Sequence, residues 1–557
     1  MARWMTIAVT FIAFTFLGSH SEGGESTRNI RWSEDIDYLV DRLEITHPNL
    51  YANISAEEFQ ISVEQLKQRI ATASDVEIVF SIQELVARIR NAHTLCYSPL
   101  FMEDNDALKR QFQFYPVLYY PFSDGLYTTA VAARYEPILG KRVIQMGGMT
   151  SAEVMSNLAR FIGADNENTP LSNLPRFYLS DGQLLRYIGA ANSPDSMTLT
   201  LEDGNGSVFD YTICTDSTFG TGGVSWITMV TASDNPPPLY RKHESENYWF
   251  DYLSEQQAIY LQINLMYNID SDPFEAFCQR LFDTLDANRA ERLIVDVRGC
   301  PGGDHIELPL LKGILARPQI DQPDRLFLII GRRTGSASQH LTSEFEHYTN
   351  ATLFGEPTAS KPNQYGAMQQ LTLPHSKLQI VCATKYFQDT EPADYSMAST
   401  PDIYVSVSSD DFRANRDPVL ERVFSYDSYK QLGPAFRELM SNAYLDGGID
   451  GFKRTYDSVK ATYSEYGFNM EKLLFKDLDA WMGENRRSDD DYVEYLRFVY
   501  HELPNSIPVC YDLGWWMNER GDKEDARKLW EKCLALNPEH HHARRRLGLM
   551  KLEEAPN

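Results

Sequence analysis

Apolar residues recur three and four positions apart in three segments between residues 31 and 105, which is the spacing of a buried helix face. These segments are WSEDIDYLVDRLEI, AEEFQISVEQLKQRI and EIVFSIQELVARIRNAHT. From about residue 112 to 232 the pattern changes to short runs of β-forming residues separated by glycine turns. The pattern predicts an N-terminal helical segment over 22–105 and a β-rich segment over 106–235.

Strand and helix patterns alternate over residues 246–425. Continuous apolar runs predict buried strands, and amphipathic stretches such as ASQHLTSEFEHY predict helices between them; the strand runs are AIYLQINL, RLIVDVRG, RLFLII and ATLF. This alternation is typical of parallel βα units, in which functional groups gather at the carboxyl ends of the strands. We therefore expect an α/β core in this part of the chain.

Residues 426–557 are predicted to be helical. The stretch LGWWMNERGDKEDARKLWEKCLALNP resembles a tetratricopeptide repeat (TPR), whose key positions are filled by Leu513, Gly514, Gly521, Ala526, Trp530, Cys533 and Pro538. A single repeat cannot bury its own faces, so it is expected to stack on the helices before it. The segment is a candidate for binding a protein partner.

The chain has 557 residues, which is too long for one compact core and predicts several domains. It carries 52 Lys and Arg against 78 Asp and Glu, a net charge of −26. This acidity argues against a nucleic-acid partner, which requires clustered cations, and against docking on an anionic membrane surface. No His, Cys and carboxylate group has metal-ligand spacing, and no cofactor is expected.

The first 21 residues have the pattern of a secretory signal. Arg3 precedes an apolar run from Met5 to Leu17, and small residues follow at Ser19 and Ser21. The run has 13 residues, short for a stable membrane span. We expect a cleaved signal peptide over 1–21 and a periplasmic or extracellular protein, with an uncleaved anchor as the alternative.

Ser336 lies where the strand RLFLII is followed by a tight turn and a helix. Such a junction presents a hydroxyl at the end of the sheet, and the N–H groups that open the helix point toward the same space. A glycine turn, Gly302-Gly303, follows the neighbouring strand. Ser336 is therefore a candidate nucleophile; the alternative is that it only caps the helix.

Three motifs around this serine occur in the order DVRGCPGG, SASQ and GEPTASK. In this order they resemble the core of the C-terminal processing peptidases, also called tail-specific proteases, over roughly residues 250–405. Lys361 follows Ser336 by 25 residues, the interval found in that family. The resemblance implies a ClpP/crotonase-like peptidase core with Ser336 as nucleophile and Lys361 as general base. It also implies oxyanion-binding N–H groups from Gly302 or Gly303 together with Ala337.

A lysine can act as a base only when it is neutral, which requires burial or a cationic neighbour. The family places a glutamine four residues after the lysine to orient it. Here Tyr365 occupies that position and Gln364 precedes it, so Gln364 is the candidate orienting residue. The alternative is that Lys361 is exposed and takes no part in the reaction.

His93 is a second candidate base. The sequence Asn91-Ala92-His93-Thr94 is similar to the G-D-G-H-T signature of the tricorn-like branch of the same superfamily, without its Gly-Asp part. In that branch a histidine activates the serine and a downstream carboxylate completes the set. The candidate carboxylates are Asp389, Glu391 and Asp394. The alternative is a helix-end histidine that binds backbone groups.

The β-rich segment is similar to a PDZ-type insert, most clearly from DGLYTTAV to GKRVIQMGGMTSAEV. In the family such a module binds extended chain ends by strand addition. The alternative is a β subdomain that only packs on the core.

Together these features predict an exported serine peptidase that acts on peptides or unfolded proteins without a cofactor. The competing prediction is a catalytically degenerate scaffold that binds peptides or proteins through its PDZ-like and TPR-like modules.

Overall fold

A computed structural model describes residues 22–98, 105–175, 177–219, 222–232, 235–428 and 432–554. The predicted signal peptide over 1–21 lies outside the described residues. Within the described ranges no helix is both long and apolar enough to cross a membrane.

Three helices open the described chain: α1 (Glu22–Thr46), α2 (Ala56–Arg69) and α3 (Asp75–Ala87). Helices α2 and α3 begin with capping boxes, in which a serine and the glutamate three residues later satisfy each other's backbone N–H groups. The chain then turns through residues 88–94 into the short strand β1 (Leu95–Cys96). His93 therefore lies on the turn between α3 and β1.

A seven-stranded antiparallel sheet forms the segment 106–235, which we call the insert. Its strands are β2 (Val117–Phe122), β3 (Gly125–Ala132), β4 (Arg142–Met146), β5 (Met149–Thr150), β6 (Ser196–Glu202), β7 (Val208–Cys214) and β8 (Trp226–Thr228). Its α-helices are α4 (Asp106–Lys109), α5 (Ser151–Ala159), α6 (Asn168–Asn173) and α7 (Gly182–Tyr187). One hydrophobic core joins the insert to helices α1–α3.

A six-stranded sheet forms the centre of the molecule, with four parallel strand pairs and one antiparallel edge pair. Its strands are β9 (Tyr248–Leu253), β10 (Ala258–Ile263), β11 (Arg292–Asp296), β12 (Leu326–Ile330), β13 (Thr352–Gly355) and β16 (Ile403–Tyr404). The helices after its strands are α8 (Phe274–Asn288), α9 (Leu308–Leu315) and α10 (Ala337–Tyr348). The predicted alternation of strand and helix is confirmed.

Successive residues of each central strand belong to two different cores. Leu293 and Val295 pack on the side of α8–α10, whereas Ile294 packs on the side of the C-terminal helices. Both faces of the sheet are therefore covered. This explains why these strands are continuous apolar runs in the sequence.

Two long strands, β14 (Gln364–Thr372) and β15 (Gln379–Phe387), lie outside the central sheet. They pair with each other, and β15 also pairs with β1, in a separate three-stranded sheet. This pairing brings the His93 turn next to the start of β14. After it come α11 (Ser409–Arg413) and α12 (Pro418–Phe424). Arg298, just after β11, forms ion pairs with Asp296 and with Asp417, the N-cap of α12.

The remaining chain is helical: α13 (Leu432–Glu465), α14 (Asp479–Asn485), α15 (Asp489–Glu502), α16 (Ile507–Glu519), α17 (Lys523–Leu536) and α18 (His541–Glu554). Helices α16 and α17 pack closely at Gly514, where an added Cβ would lie 2.7 Å from the Trp530 indole nitrogen. The predicted mixed α/β architecture with a C-terminal helical region is confirmed.

Candidate active site

Ser336 occupies the turn between β12 and α10, at the carboxyl end of the central sheet. Its backbone has φ 53° and ψ −124°, a strained conformation for a residue other than glycine. Two contacts hold this conformation: its N–H donates to Ser360 Oγ at 3.2 Å, and its carbonyl accepts from Gln364 Nε2 at 3.4 Å. Ser336 is half-buried, so its hydroxyl is not sealed in the interior.

The glycine turn after β11 lies directly against this serine. Gly302 has φ +112°, and a Cβ added there would lie 2.6 Å from Ser336 Cβ and 2.8 Å from the Ala337 nitrogen. Ser338 Oγ ties the two segments together by donating to the Cys300 carbonyl at 2.7 Å. Within the part of the chain that the structure describes, no acceptor takes the N–H of Gly303 or Ala337. The structure therefore brings the predicted oxyanion groups together with the predicted nucleophile.

Lys361 is buried, with 6% of its surface exposed. Its ammonium donates to Glu539 Oε1 at 2.9 Å, and the same oxygen accepts from Asn53 Nδ2 at 2.8 Å. No hydrogen bond joins Lys361 to Ser336 in the described ranges. An ammonium paired with a carboxylate cannot accept the serine proton, so this arrangement does not present Lys361 as a base.

A cavity of about 410 Å³ opens beside Lys361. It lies between the N-terminal helices, the insert, the core and the C-terminal helices; the charged residues that line it are Arg88, Arg90, Arg160, Asp165, Glu167 and Lys361. The loop that carries Lys361 therefore faces a polar space shared by four parts of the chain.

His93 is buried beside the first residues of β14, with its ring Cδ2 3.9 Å from the Cβ position of Gly366. Its Nδ1 has no hydrogen-bond partner among the described residues. Burial lowers the pKa of His93; the negative charge of Asp165 and the Tyr365 backbone oppose this shift, and His340 adds to it. This shift favours the neutral ring, the form that can accept a proton. No hydrogen bond to Ser336 Oγ is present in the described structure.

His340 follows Ser336 by one helical turn, and its Nδ1 is paired with Asp389. Its ring lies 4.5 Å from that of His305 and 4.8 Å from that of Phe387, measured between centroids. Nearby, burial and the charges of Glu307 and Asp389 raise the pKa of Glu344 to about 7. His340 was not predicted from the sequence. Its position four residues after Ser336, one turn along a predicted helix, was the signal that could have indicated it.

None of the three carboxylates predicted as partners of His93 forms a hydrogen bond with it in the described structure. Asp389 binds His340, Asp394 Oδ1 accepts the Ser396 N–H at 2.9 Å, and Glu391 is exposed. Gln364, predicted to orient Lys361, instead contacts the serine backbone. Across the described ranges, no group of three or more His, Cys, Asp or Glu side chains is placed to hold a metal ion.

A buried carboxylate that sequence reasoning missed lies beside the His93 turn. Asp165 Oδ1 accepts the Ala92 N–H at 2.9 Å and the Asn91 side-chain amide at 3.3 Å. Asp165 belongs to the insert, far from every catalytic motif in the sequence. No local sequence signal marks it.

No protein-family model and no curated protein matches this chain. Among solved structures, CPAF complexed with lactacystin is 11% identical with a TM-score of 0.49, covering 73% of this chain and 98% of that one. The photosystem II D1 C-terminal processing protease is 12% identical with a TM-score of 0.31, covering 69% and 94%. The tricorn protease is 12% identical with a TM-score of 0.33, covering 71% of this chain and 36% of that one.

A C-terminal processing protease and the tricorn protease are thus among the solved structures to which this chain is similar. At identities of 11–12% and TM-scores of 0.31–0.49 these similarities are remote.

Proposed function

We propose that this chain is a serine peptidase in which Ser336 is the nucleophile and His93 the general base. The observation that carries the proposal is the contact between Gly302 and the strained Ser336 turn, beside N–H groups that no acceptor takes among the residues that the structure describes. A strained serine at a strand-to-helix turn, with backbone N–H groups around it, is a recurring arrangement for acyl transfer.

His93 is the better base because of what each of the two candidates contacts. Lys361 Nζ donates to Glu539, whereas the His93 ring is buried and its Nδ1 has no hydrogen-bond partner in the described part of the chain. Along β14, Gln364 donates to the Ser336 carbonyl and the Tyr365 carbonyl accepts from Asn91 in the His93 turn, so this strand connects the serine to the histidine. Catalytic hydrogen bonds are often long before substrate binds.

The proposed reaction proceeds through a covalent acyl-enzyme. Ser336 Oγ attacks a peptide carbonyl while His93 takes its proton, and the resulting oxyanion binds the N–H groups of Gly303 and Ala337. His93 then gives the proton to the leaving amine as the C–N bond breaks. Water activated by His93 releases the acyl group in the second half of the reaction.

Several finer features belong to the same proposal. The parallel central sheet with α10 after β12 is consistent with a ClpP/crotonase-like core, and the antiparallel insert with a PDZ-like module for extended chain ends. The close contact of Gly514 with Trp530 is consistent with TPR-like packing, and so with a protein partner at the C-terminal helices. The apolar run at the start of the sequence supports export to the periplasm or the extracellular space.

The second candidate function is a degenerate peptidase scaffold that only binds peptides or proteins. It is favoured by one observation: in the described ranges neither Lys361 nor His93 is hydrogen-bonded to Ser336 Oγ.

A serine-directed fluorophosphonate probe with intact-mass readout separates the two functions. We expect one adduct on the wild type and on Lys361→Met, and none on Ser336→Ala or His93→Gln. A folded wild type without an adduct and without hydrolysis of unfolded protein would establish the scaffold instead.

A further inference from the structure

Asp165 lies in the insert, after helix α5, and is buried with 4% of its surface exposed. Its Oδ1 accepts from the Ala92 N–H and from the Asn91 side chain, the two residues immediately before His93. We propose that Asp165 is the positioning residue of His93: it fixes the turn that carries the ring and supplies the negative charge that faces it. This inference rests on the proposed function of His93 as the base.

The backbone around Asp165 is fitted to the His93 turn. At Gly163 an added Cβ would lie 2.5 Å from the Thr94 carbonyl oxygen and 2.6 Å from that of Asn91, so only glycine permits this approach. Asn91 extends the contact by donating to the Tyr365 carbonyl at 3.3 Å. The insert therefore holds the turn on one side while β14 holds it on the other.

The charges around His93 come from three elements. Asp165 faces it from the insert, His340 from α10, and the Tyr365 carbonyl from β14. Asp165 Oδ2 and His93 Nδ1 are both buried, and neither has a hydrogen-bond partner among the described residues. Asp165 opposes the effect of burial and raises the pKa of His93, so the carboxylate also favours the imidazolium that forms when His93 takes the serine proton.

The same short segment also contacts the loop that leads to Lys361. Asn166 Nδ2 donates to the Thr358 carbonyl at 3.1 Å, and Thr169 Oγ1 donates to the Ala359 carbonyl at 2.7 Å. Ser360, which follows, accepts the Ser336 N–H. The Asp165–Thr169 segment thus supports both the base and the backbone of the nucleophile.

The test uses the full-length protein and the variant Asp165→Asn. Loss of the carboxylate charge is expected to lower the pKa of His93, because that charge opposes the shift caused by burial. The acid limb of the pH profile of kcat/KM reports the pKa of the base in the free enzyme, and it should therefore move to lower pH. We expect kcat to fall roughly tenfold to hundredfold with little change in KM, since the ring is no longer held in place.

Asp181→Asn is the matched control. Asp181 is a buried insert carboxylate that accepts two backbone N–H groups, those of Gln183 and Leu184, at 3.0 and 3.1 Å. The acid limb should stay at its wild-type pH in this variant. A folded Asp165→Asn protein with an unshifted acid limb would overturn the inference.

A second readout does not depend on turnover. The NMR titration midpoint of the His93 Cε1–H, assigned with His93→Gln, should be lower in Asp165→Asn than in the wild type. Asp165→Glu keeps the charge, so it should keep the midpoint near the wild-type value while kcat falls; a midpoint lowered in Asp165→Glu would overturn the inference. If the wild type neither turns over substrate nor reacts with the probe, the proposed function fails, and the NMR midpoints still decide the role of Asp165.

Discussion

The Lys361 ammonium donates to the Glu539 carboxylate at 2.9 Å, which joins the loop after β13 to the turn before α18. Both side chains are largely buried, with 8% and 15% of their surface exposed. Asn53, from the N-terminal helical segment, donates to the same carboxylate oxygen. One carboxylate therefore links the N-terminal, central and C-terminal parts of the chain.

Breaking this ion pair is expected to destabilise the protein without removing the nucleophile. Lys361→Met leaves the Glu539 charge buried and unpaired, at a cost of about 3–5 kcal/mol in the free energy of unfolding. The double variant Lys361→Met/Glu539→Leu should recover most of that loss, because both charges are then absent. Urea unfolding measures both changes. A folded Lys361→Met that no longer reacts with the serine probe would instead make Lys361 the base.

Gly302→Ala is expected to abolish peptide hydrolysis. The new Cβ would lie 2.6 Å from Ser336 Cβ, and φ +112° disfavours any side chain, so the turn must move away from the serine. Because the Gly303 N–H moves with this turn, an oxyanion donor is displaced, and loss of one such donor lowers kcat by about 10²–10³-fold. Gly299→Ala is the matched control, because no atom lies within 4 Å of its Cβ position. Equal loss of kcat in both variants would contradict the role of Gly302.

The buried Arg298 is expected to stabilise the core far more than an exposed arginine. Arg298→Met leaves Asp296 and Asp417 without their cation, and should lower the free energy of unfolding by about 3–5 kcal/mol. Arg280 pairs with Asp272 at the surface, and Arg280→Met should change that free energy by only about 0–1 kcal/mol. Parallel urea titrations test the difference, and similar losses in the two variants would refute it.

Stability is expected to fall as the pH drops from about 6.5 toward 4. Burial lowers the pKa of His540 from 6.5 to about 4, so the unfolded chain takes up a proton in this range before the folded chain does. Its Nδ1 accepts the Ala543 N–H, and its ring stacks on Tyr395 at 4.0 Å between centroids.

His540→Phe should remove roughly 3 kcal/mol of this pH dependence in the free energy of unfolding, measured by urea titration at several pH values. The rest of the pH dependence includes a contribution from His47. Burial lowers the pKa of this histidine to about 4 as well. The exposed neighbour His541 gives the control: His541→Gln should keep the wild-type slope. A wild-type slope in His540→Phe would show that His540 does not titrate with unfolding.

The sequence was sufficient to predict local structure in two situations: where a strand is buried on both faces, and where a tight turn requires glycine. The continuous apolar runs at β10 to β13 predict buried parallel strands, because both faces of the sheet are covered. The contact between Gly302 and Ser336 follows from two turns that end neighbouring parallel strands. Such features depend on residues close together in sequence or on one sheet edge.

The partners of the two candidate bases could not be predicted in the same way. Glu539 lies 178 positions from Lys361, and Asp165 lies 73 positions from the Ala92 N–H that it accepts. These pairs form only because separate segments pack against each other, and neither residue disturbs the periodicity of its own helix or turn. A single sequence contains no record of that packing.

The contacts of Gly163, Asp165 and Thr169 have a consequence for engineering. Under the proposed function, these contacts make the insert part of the support of the active site, so another domain cannot simply replace it. A chimera that grafts a foreign recognition module between α3 and the central sheet would lose its activity unless these few positions were transplanted with it.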